Sequence, residues 1–220
     1  MKFGYSGIIL FLVVCILVLS GCVNQQGAVE EMYEVLENVV DLEKAFEEQQ
    51  EPLVSLEKQE KEIYNQIMAI GMKNHAEITK LSDEALPLVE ERRKHLQTEV
   101  DSLQTAEEEF KKIATIKEDI RNNEQKQFAD DLYDLMMQRY KVHSELADQY
   151  LEALAKDQEL YLMFKEEDIS YEKLEALIAD LNQLYGKISD TNERFNQYTT
   201  EYNDKKIAFY KKAGFKIEEN

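Results

Sequence analysis

Residues 128–164 read FADDLYDLMMQRYKVHSELADQYLEALAKDQELYLMF, and this stretch decides the fold class. Its apolar and aromatic residues recur every three or four positions, with mostly polar and charged residues between them. Spacing with a period near 3.6 puts one face of a helix in the protein interior and the other in water. The stretch is therefore predicted to be one long amphipathic helix. Its buried stripe consists of Phe128, Leu132, Met136, Tyr140, His143, Ala147, Tyr150, Leu154, Tyr161 and Phe164.

The same period recurs in three other segments, which are residues 29–70, 78–120 and 174–209. A helix of this kind is not stable alone in water, so the four stripes are expected to bury one another. The predicted fold class is all-α, an elongated up-and-down bundle of about four long helices, each roughly 60 Å long. The alternative is a three-helix, spectrin-like bundle in which residues 53–120 form one very long helix.

Few positions interrupt the helical pattern. Glu51-Pro52 predicts a kink or a restart, because proline disfavours the helical conformation of the residue before it. Pro87 has no good cap before it, so a kink is expected there and not a helix end. The bundle domain is predicted to span residues 29–216. Turns or helix ends are predicted at 71–74, 121–123, 167–170 and Gly214.

The composition excludes several classes of protein. The chain has 220 residues, with 26 Lys and Arg against 45 Asp and Glu, so its net charge is −19 at neutral pH. Such a surface repels phosphates, so no nucleic-acid partner is expected. Seven Gly and two Pro provide too little turn chemistry for a many-stranded β fold, and two Cys cannot frame a disulfide scaffold.

The N-terminal residues differ from the rest of the chain. Twelve uninterrupted apolar residues, Ile8 to Leu19, span only about 18 Å as a helix, which is typical of a signal sequence. The motif Leu19-Ser20-Gly21-Cys22 resembles the bacterial lipoprotein signal. In that signal the thiol takes up a diacylglyceryl group, and small neighbours admit the peptidase. Residues 1–21 are thus predicted to be the signal peptide, and residues 22–28 the lipidated cysteine and a short tether.

The predicted location is the outer face of the cytoplasmic membrane. A diacylglyceryl group on Cys22 supplies two acyl chains, and two chains give stable anchoring at about 0.8 kcal/mol per buried CH₂. Cys15 lies in the segment that would be discarded, so the mature chain is expected to have no free thiol. The alternative is an uncleaved anchor over residues 3–23, which are tolerably apolar.

The sequence contains no recognisable catalytic or metal-binding pattern. Di-iron bundles need Glu-x-x-His on two helices, but none of His75, His95 and His143 has a glutamate three residues before it. The sequence also lacks a His-x-x-x-His pair, a Gly-rich phosphate loop and a nucleophile elbow. It therefore predicts no catalytic residue, no metal, no cofactor and no enzyme activity. His143 is expected to be a core residue with a satisfied hydrogen bond.

One group of tyrosines is a candidate for stacking on sugars. These residues lie on or near one helical stripe, and aromatic faces there would form a glycan groove. The alternative is that they fill a core without Trp, with their hydroxyls reaching the rim. The four candidates are Tyr133, Tyr140, Tyr150 and Tyr161.

A basic segment near the C-terminus is a candidate for contact with an anionic surface. In an even-numbered antiparallel bundle this segment returns to the membrane-proximal end, where each lysine near anionic headgroups contributes about 1 kcal/mol. The alternative is that the lysines complement the helix dipole. The five candidates are Lys205, Lys206, Lys211, Lys212 and Lys216.

Several short stretches along nearly the whole chain point to a known family. They are the motif Leu19 to Cys22, residues 42–50 with Pro52-Leu53, Leu56-Glu57-Lys58, Tyr64, Ile70-Gly71-Met72, residues 81–85 and Arg139-Tyr140. In these stretches the chain resembles the YkyA-like family of Gram-positive lipoproteins, which are proposed to bind the cell wall. The resemblance implies an all-helical bundle on a lipid anchor and a wall association, and it assigns no binding residue. A wall association contrasts with the acidic charge of the chain, because peptidoglycan and teichoic acids are anionic.

Two functions follow as hypotheses. The first is a non-enzymatic, lipid-anchored protein that binds a cell-wall polymer or another envelope component through its bundle surface. The second is a membrane-tethered chaperone or regulator of secreted or cell-wall enzymes, which would expose part of its apolar stripe at Pro52 and Pro87.

Overall fold

Four long helical arms make up the described part of the protein. The computed structural model describes residues 27–215, and none of these residues lies in a β-strand. The helices are α1 (27–42), α2 (Lys44–Ile70), α3 (His75–Phe110), α4 (Ile113–Ile116), α5 (Asn123–Phe164) and α6 (Tyr171–Ala213). The first arm joins α1 and α2 end to end, and α3, α5 and α6 are the other three arms. The all-α, four-arm prediction is confirmed.

The turn between the first two arms excludes the three-helix alternative. Gly71 has φ 55°, a positive value that glycine adopts without steric penalty, and it begins a single 3₁₀ turn, Gly71–Lys73. Asn74 then caps α3, because its side-chain oxygen accepts a hydrogen bond from the Glu77 N–H at 3.3 Å. Residues 53–120 are therefore not one helix, and the turn predicted at 71–74 is confirmed.

The structure places helix caps at the other predicted turns. Asn122 accepts hydrogen bonds from two N–H groups of the first turn of α5, and Ser170 accepts one from Lys173. Gly214 ends α6 with φ 84°, the left-handed conformation that commonly follows a helix. The α5 and α6 helices begin, and α6 ends, at the predicted turns, because each cap satisfies backbone groups that the helix leaves unpaired.

The first arm is interrupted at Glu43 and not at Pro52, so the prediction of a restart at Pro52 is wrong. The α2 helix continues through Pro52. At Glu43 a side chain from another arm enters the helix. Ser102 of α3 donates its hydroxyl to the Leu42 carbonyl at 2.6 Å, and its oxygen accepts from the Phe46 N–H at 3.1 Å. These are the two groups that an uninterrupted helix would pair with each other, so the serine replaces their bond.

Replacing Ser102 with alanine should lower the free energy of unfolding by about 1–3 kcal/mol, because a part-buried carbonyl and a part-buried N–H would lose their partner. Thr105→Ala is a matched control, since Thr105 is exposed and its hydroxyl bonds only within its own helix. Urea denaturation of both variants measures the difference. Equal stability of the two variants would show that Leu42 and Phe46 close their own bond when the serine is absent.

The segment after α3 also departs from the predicted pattern. The apolar spacing of residues 78–120 suggested one continuous helix, but α3 ends at Phe110. A short helix, α4, and a 3₁₀ turn over Lys117–Asp119 follow it. Ile113, Ile116 and Ile120 are buried there and close one end of the core. Spacing by three or four suits both kinds of helix, so the periodicity alone did not show this bend.

Both ends of the described chain meet at that same end of the bundle. The rings of Tyr33 in α1 and Phe215 after α6 stack with centroids 4.2 Å apart. Tyr210 of α6 donates its hydroxyl to Glu37 of α1 at 2.7 Å. Residues 27 and 28, which the sequence analysis placed in the tether, already belong to α1, and Ala28 is buried. Residues 22–26 of that tether and Lys216 lie outside the described residues.

Candidate binding groove

A groove of about 850 Å³ runs along the bundle between α2 and α6. Residues 46–64 of α2 form one wall, residues 178–199 of α6 form the other, and α3 and α5 supply the floor. At 1.5 Å per residue these walls extend for about 27 Å or more. The groove is a concave surface built by four helices, and such a surface is the usual place of a binding site.

A buried arginine lies at the floor of the groove. Arg92 of α3 is 2% exposed, and a charge at that depth is stable only when it is paired. It forms an ion pair with Glu60 of α2 and another, at 3.3 Å, with Asp157 of α5. Tyr150 accepts hydrogen bonds from Nη2 at 2.8 Å and from Nε at 3.1 Å. One guanidinium thus ties three helices together.

Two tyrosines extend this cluster toward the groove. Tyr150 donates its hydroxyl to Glu57 of α2, and Tyr185 of α6 donates its hydroxyl to Asp157. Arg92 also lies over the Tyr150 ring at 5.0 Å, which is a cation–π geometry. Burial raises the pKa of both tyrosines above the usual range, so both remain neutral donors. We call these six residues the Arg92 cluster: Glu57, Glu60, Arg92, Tyr150, Asp157 and Tyr185.

The Arg92 cluster has more carboxylates than cations. Burial raises the pKa of Glu60 to about 7, although the nearby Arg92 charge lowers it. Burial also raises the pKa of Asp157, against the hydrogen bond from Tyr185. At neutral pH Glu60 is therefore protonated in a substantial fraction of molecules, which reduces the excess of buried negative charge.

Stability should fall as the pH rises from 4.5 to about 7, because folded Glu60 holds its proton more tightly than the unfolded chain does. The contribution of Glu60 to the free energy of unfolding is fully present below the usual Glu pKa. It is lost as the pH rises past the pKa of Glu60 in the folded protein. A pKa shift of this size corresponds to about 3 kcal/mol in the free energy of unfolding. Glu60→Gln, which cannot ionise, should flatten this part of the profile of unfolding free energy against pH.

Glu91→Gln is the control for that measurement. Glu91 is exposed, and a hydrogen bond from Lys94 lowers its pKa, so its own contribution has the opposite sign. The unfolding free energy of the Glu91→Gln variant should still decline between pH 4.5 and 7, as that of the wild type does. A Glu60→Gln profile as steep as that of the wild type would contradict the assignment.

A second polar cluster closes the groove at the end nearer the chain termini. Buried Arg139 of α5 donates to Glu43 at 2.7 Å and to Thr199 of α6 at 2.9 Å. Tyr140 donates its hydroxyl to the same Glu43 at 3.0 Å. His143 lies 2.9 Å from Glu99, and both are buried, so the predicted core role of His143 with a satisfied hydrogen bond is confirmed.

The α6 wall of the groove carries no charge. Ten residues of α6 line the groove, and none of them is Asp, Glu, Lys or Arg, although 32% of the chain is charged. The charged residues of this part of α6 are exposed on its other faces, for example Lys187, Glu193 and Arg194. The wall instead presents the exposed polar residues Asn182, Ser189, Asn192 and Asn196.

Comparison with known proteins assigns the chain to a family. A family model described as "YkyA: Putative cell-wall binding lipoprotein" matches residues 27–212. The chain belongs to the YkyA family. A relative from Bacillus subtilis (strain 168), "Uncharacterized lipoprotein YkyA", is 32% identical over 204 residues, which are 93% of this chain and 91% of that protein. The family resemblance carried by the sequence is confirmed.

A solved structure shares the fold. The crystal structure of a conserved protein of unknown function from Staphylococcus aureus matches with a TM-score of 0.64 at 18% identity, over 82% of this chain and 91% of that one. As a member of the YkyA family the chain is an extracytoplasmic lipoprotein. Among residues 27–215 no helix has the length and apolar character to cross a bilayer.

The four tyrosines predicted to stack on sugars have different surroundings in this YkyA-family protein. Tyr140 and Tyr161 are 4% and 2% exposed, so the prediction is corrected for them: packing covers their rings, as in the core alternative. Tyr133 stacks on Phe110 at 5.6 Å and lies away from the groove. Tyr150 alone combines partial exposure with a place in the groove lining.

The described lysines of the basic C-terminal segment are largely engaged within the protein. Lys205 pairs with Asp131 at 2.8 Å, and Lys212 pairs with Glu124. Lys206 is half-buried, and burial lowers its pKa. Lys211 is exposed. These lysines lie at the end of the bundle where the two termini meet, which agrees with the predicted topology. Their ion pairs, however, reduce the positive charge that is available to an anionic surface.

The lipidation motif, Leu19 to Cys22, lies outside the described residues. Within residues 27–215 no group of three or more His, Cys, Asp or Glu side chains is arranged to hold a metal ion.

Sequence reasoning missed the Arg92 cluster, although the sequence contains a signal for it. The apolar stripes advance by seven positions, and not by three or four, from Val89 to Leu96 and again from Leu154 to Tyr161. In each gap a charged residue, Arg92 or Asp157, occupies the inward position. A charged residue at a stripe position marks a buried ion pair, but its partner lies on another helix and cannot be read from local spacing.

Proposed function

We propose that this protein is a lipid-anchored, non-enzymatic binding protein that holds a cell-wall component in the groove between α2 and α6, outside the cytoplasm. The observation that carries the proposal is the groove itself, about 850 Å³ with an uncharged wall, in an otherwise acidic chain. The family description, which names cell-wall binding, supports the choice of partner.

The proposed anchor at Cys22 determines which end of the bundle lies near the membrane. Only four residues, 23–26, separate Cys22 from the start of α1, and an extended chain over these five residue steps reaches about 17 Å. The groove begins at residue 46, about 28 Å further along the first arm. The lipid would therefore hold the end with both termini at the bilayer and present the groove toward the wall.

The chemistry of the groove supports binding in place of catalysis. Glu60 and Asp157 are engaged with Arg92, and Glu99 is engaged with His143. A general acid or base must reach the proton that it transfers, and these buried groups already use their hydrogen bonds within the protein. The Arg92 cluster holds four helices, α2, α3, α5 and α6, at a defined separation, which suits a preformed binding surface.

The proposal is tested by pull-down of the lipidated protein, in detergent micelles, with purified cell-wall sacculi in the presence and absence of Mg²⁺. Ser189→Trp places a large ring in the groove and should abolish retention. Gln183→Trp is the matched control, because Gln183 is exposed on the same helix but does not line the groove. Equal retention of the two variants, or no retention of the wild type, would contradict the proposal.

A tethered chaperone is the second candidate. Val54 is 64% exposed on the α2 wall, and an apolar side chain at the groove mouth suits an unfolded polypeptide. Suppression of the aggregation of an unfolding client protein, lost in Ser189→Trp but kept in Gln183→Trp, would favour this candidate over wall binding.

A further inference from the structure

We infer that the groove selects an uncharged strand of N-acetylated sugars, so that its wall ligand is the glycan and not a phosphate polymer. This inference rests on the proposed function, because it names the class of ligand for the same groove. Three features of the groove carry it: its polar wall, its half-buried aromatic residues and the sign of its charges.

The polar wall offers unused hydrogen-bonding groups. Asn182, Ser189, Asn192 and Asn196 are exposed along the groove side of α6. Within the described part of the chain, the side chains of these four residues form no hydrogen bond, and only the backbone carbonyl of Asn196 accepts one, from the Thr200 hydroxyl. A carboxamide offers donors and an acceptor together, and a hydroxyl offers both as well. Sugar hydroxyl and acetamido groups require that combination, whereas phosphate oxygens at neutral pH mainly require donors.

The row of polar side chains suits an extended ligand. Asn192 and Asn196 are one helical turn apart, about 6 Å along the axis, and Asn182 lies about 15 Å from Asn192. Ser189 lies between them on the same face of α6. The contacts are spread along the groove and do not converge on one point, so several sugars of a strand would be held in succession.

Apolar and aromatic groups accompany the polar wall. Tyr64, Tyr150 and Tyr185 line the groove and are each partly exposed, and Val54 lies at its mouth. A pyranose ring has carbon–hydrogen faces that pack against such rings while its edge carries polar groups. Tyr150 is held by its bonds to Arg92 and Glu57, so its ring is positioned before a ligand arrives. Such preorganisation lowers the entropy that binding costs.

The charges of the groove disfavour an anionic ligand. Arg92 is compensated by Glu60 and Asp157, and the Glu57 side chain is 40% exposed at the α2 wall. Lys61 is the one further cation among the lining residues that the structure describes. A polymer with a phosphate in every repeat would meet these carboxylates and the net charge of −19 of the whole chain. An uncharged glycan avoids this repulsion.

Isothermal titration calorimetry on the full lipidated protein in detergent micelles tests the inference with a chitin oligosaccharide, an uncharged oligomer of N-acetylglucosamine. A glucose oligomer of equal length and poly(glycerol phosphate) are the comparison ligands. We expect the chitin oligosaccharide to bind at least tenfold more tightly than either. The double variant Asn192→Ala/Asn196→Ala should weaken its binding at least tenfold. Asn203→Ala, exposed on the same helix outside the groove, should change it less than twofold.

Several results would overturn the inference. The inference is wrong if the chitin oligosaccharide does not bind, or if it binds the double variant as tightly as the wild type. It is also wrong if poly(glycerol phosphate) binds more tightly than the chitin oligosaccharide, or if the protein binds a reduced, carboxymethylated polypeptide and not the oligosaccharide. If sacculi retain the wild type but not Ser189→Trp while the chitin oligosaccharide fails to bind, only this inference is lost. If sacculi do not retain the wild type at all, the proposed function itself is lost.

Discussion

Replacing Arg92 with alanine is expected to lower the free energy of unfolding by about 3–5 kcal/mol at pH 8, because it leaves buried carboxylates without a counter-ion. Glu60 and Asp157 are both buried, and Arg92 is the cation that pairs with each of them. Tyr150 would also lose two hydrogen-bond donors. The loss should be smaller at pH 5, because protonation of Glu60, whose pKa is about 7, removes part of the unpaired charge.

Two further variants separate charge from geometry. Arg92→Lys keeps the positive charge but cannot form the forked contacts with two carboxylates and a tyrosine, so an intermediate loss is expected. Arg93→Ala is the control, because Arg93 is partly exposed and pairs only with Glu90 one turn away. Removal of such a surface pair changes stability by less than about 1 kcal/mol. Chemical denaturation at both pH values measures these effects, and an Arg92→Ala variant as stable as Arg93→Ala would refute the role of the cluster.

Replacing Cys22 with serine should abolish lipid attachment completely, because the thiol is the acceptor of the diacylglyceryl group in the proposed signal. Labelled palmitate supplied to the expressing cells should mark the wild-type protein and leave the Cys22→Ser variant unmarked. The variant should also keep the leading 21 residues and migrate more slowly on a gel, because lipid attachment precedes cleavage. The effect is all-or-none, since two acyl chains provide the whole of the stable anchoring.

The chain contains its own control for that experiment. Cys15 lies within the apolar stretch Ile8 to Leu19. It would be discarded with the signal peptide, so Cys15→Ser should be labelled and processed as the wild type is. Label that persists in Cys22→Ser, or that is lost in Cys15→Ser, would show that the lipid is attached elsewhere or that residues 3–23 remain as an uncleaved anchor.

The groove was only partly predictable. Tyr150 was singled out from its place on the α5 stripe, and it does line the groove. Tyr140 and Tyr161 belong to the same stripe but are buried, because the stripe of α5 faces the core over most of its length. Periodicity shows which face of a helix turns inward, but it does not show where two neighbouring helices stand apart and leave part of that face open.

The sequence by itself determined the helical arms, most of the turns between them and the family. Apolar spacing near 3.6 residues is a local property, and so are the caps at Asn74, Asn122, Ser170 and Gly214. Each can be read from adjacent residues. The acidic composition likewise excluded a nucleic-acid role before any packing was known.

Only the tertiary structure decided where the first arm breaks, how the charges inside are paired and where the groove lies. Ser102 interrupts the first arm from 60 residues away in the chain. Arg92 finds its partners on α2 and α5. The reason is common to all three features. They depend on which side chains of different helices come within a few ångströms, and the burial of four stripes at once sets those distances, not the propensity of any single segment.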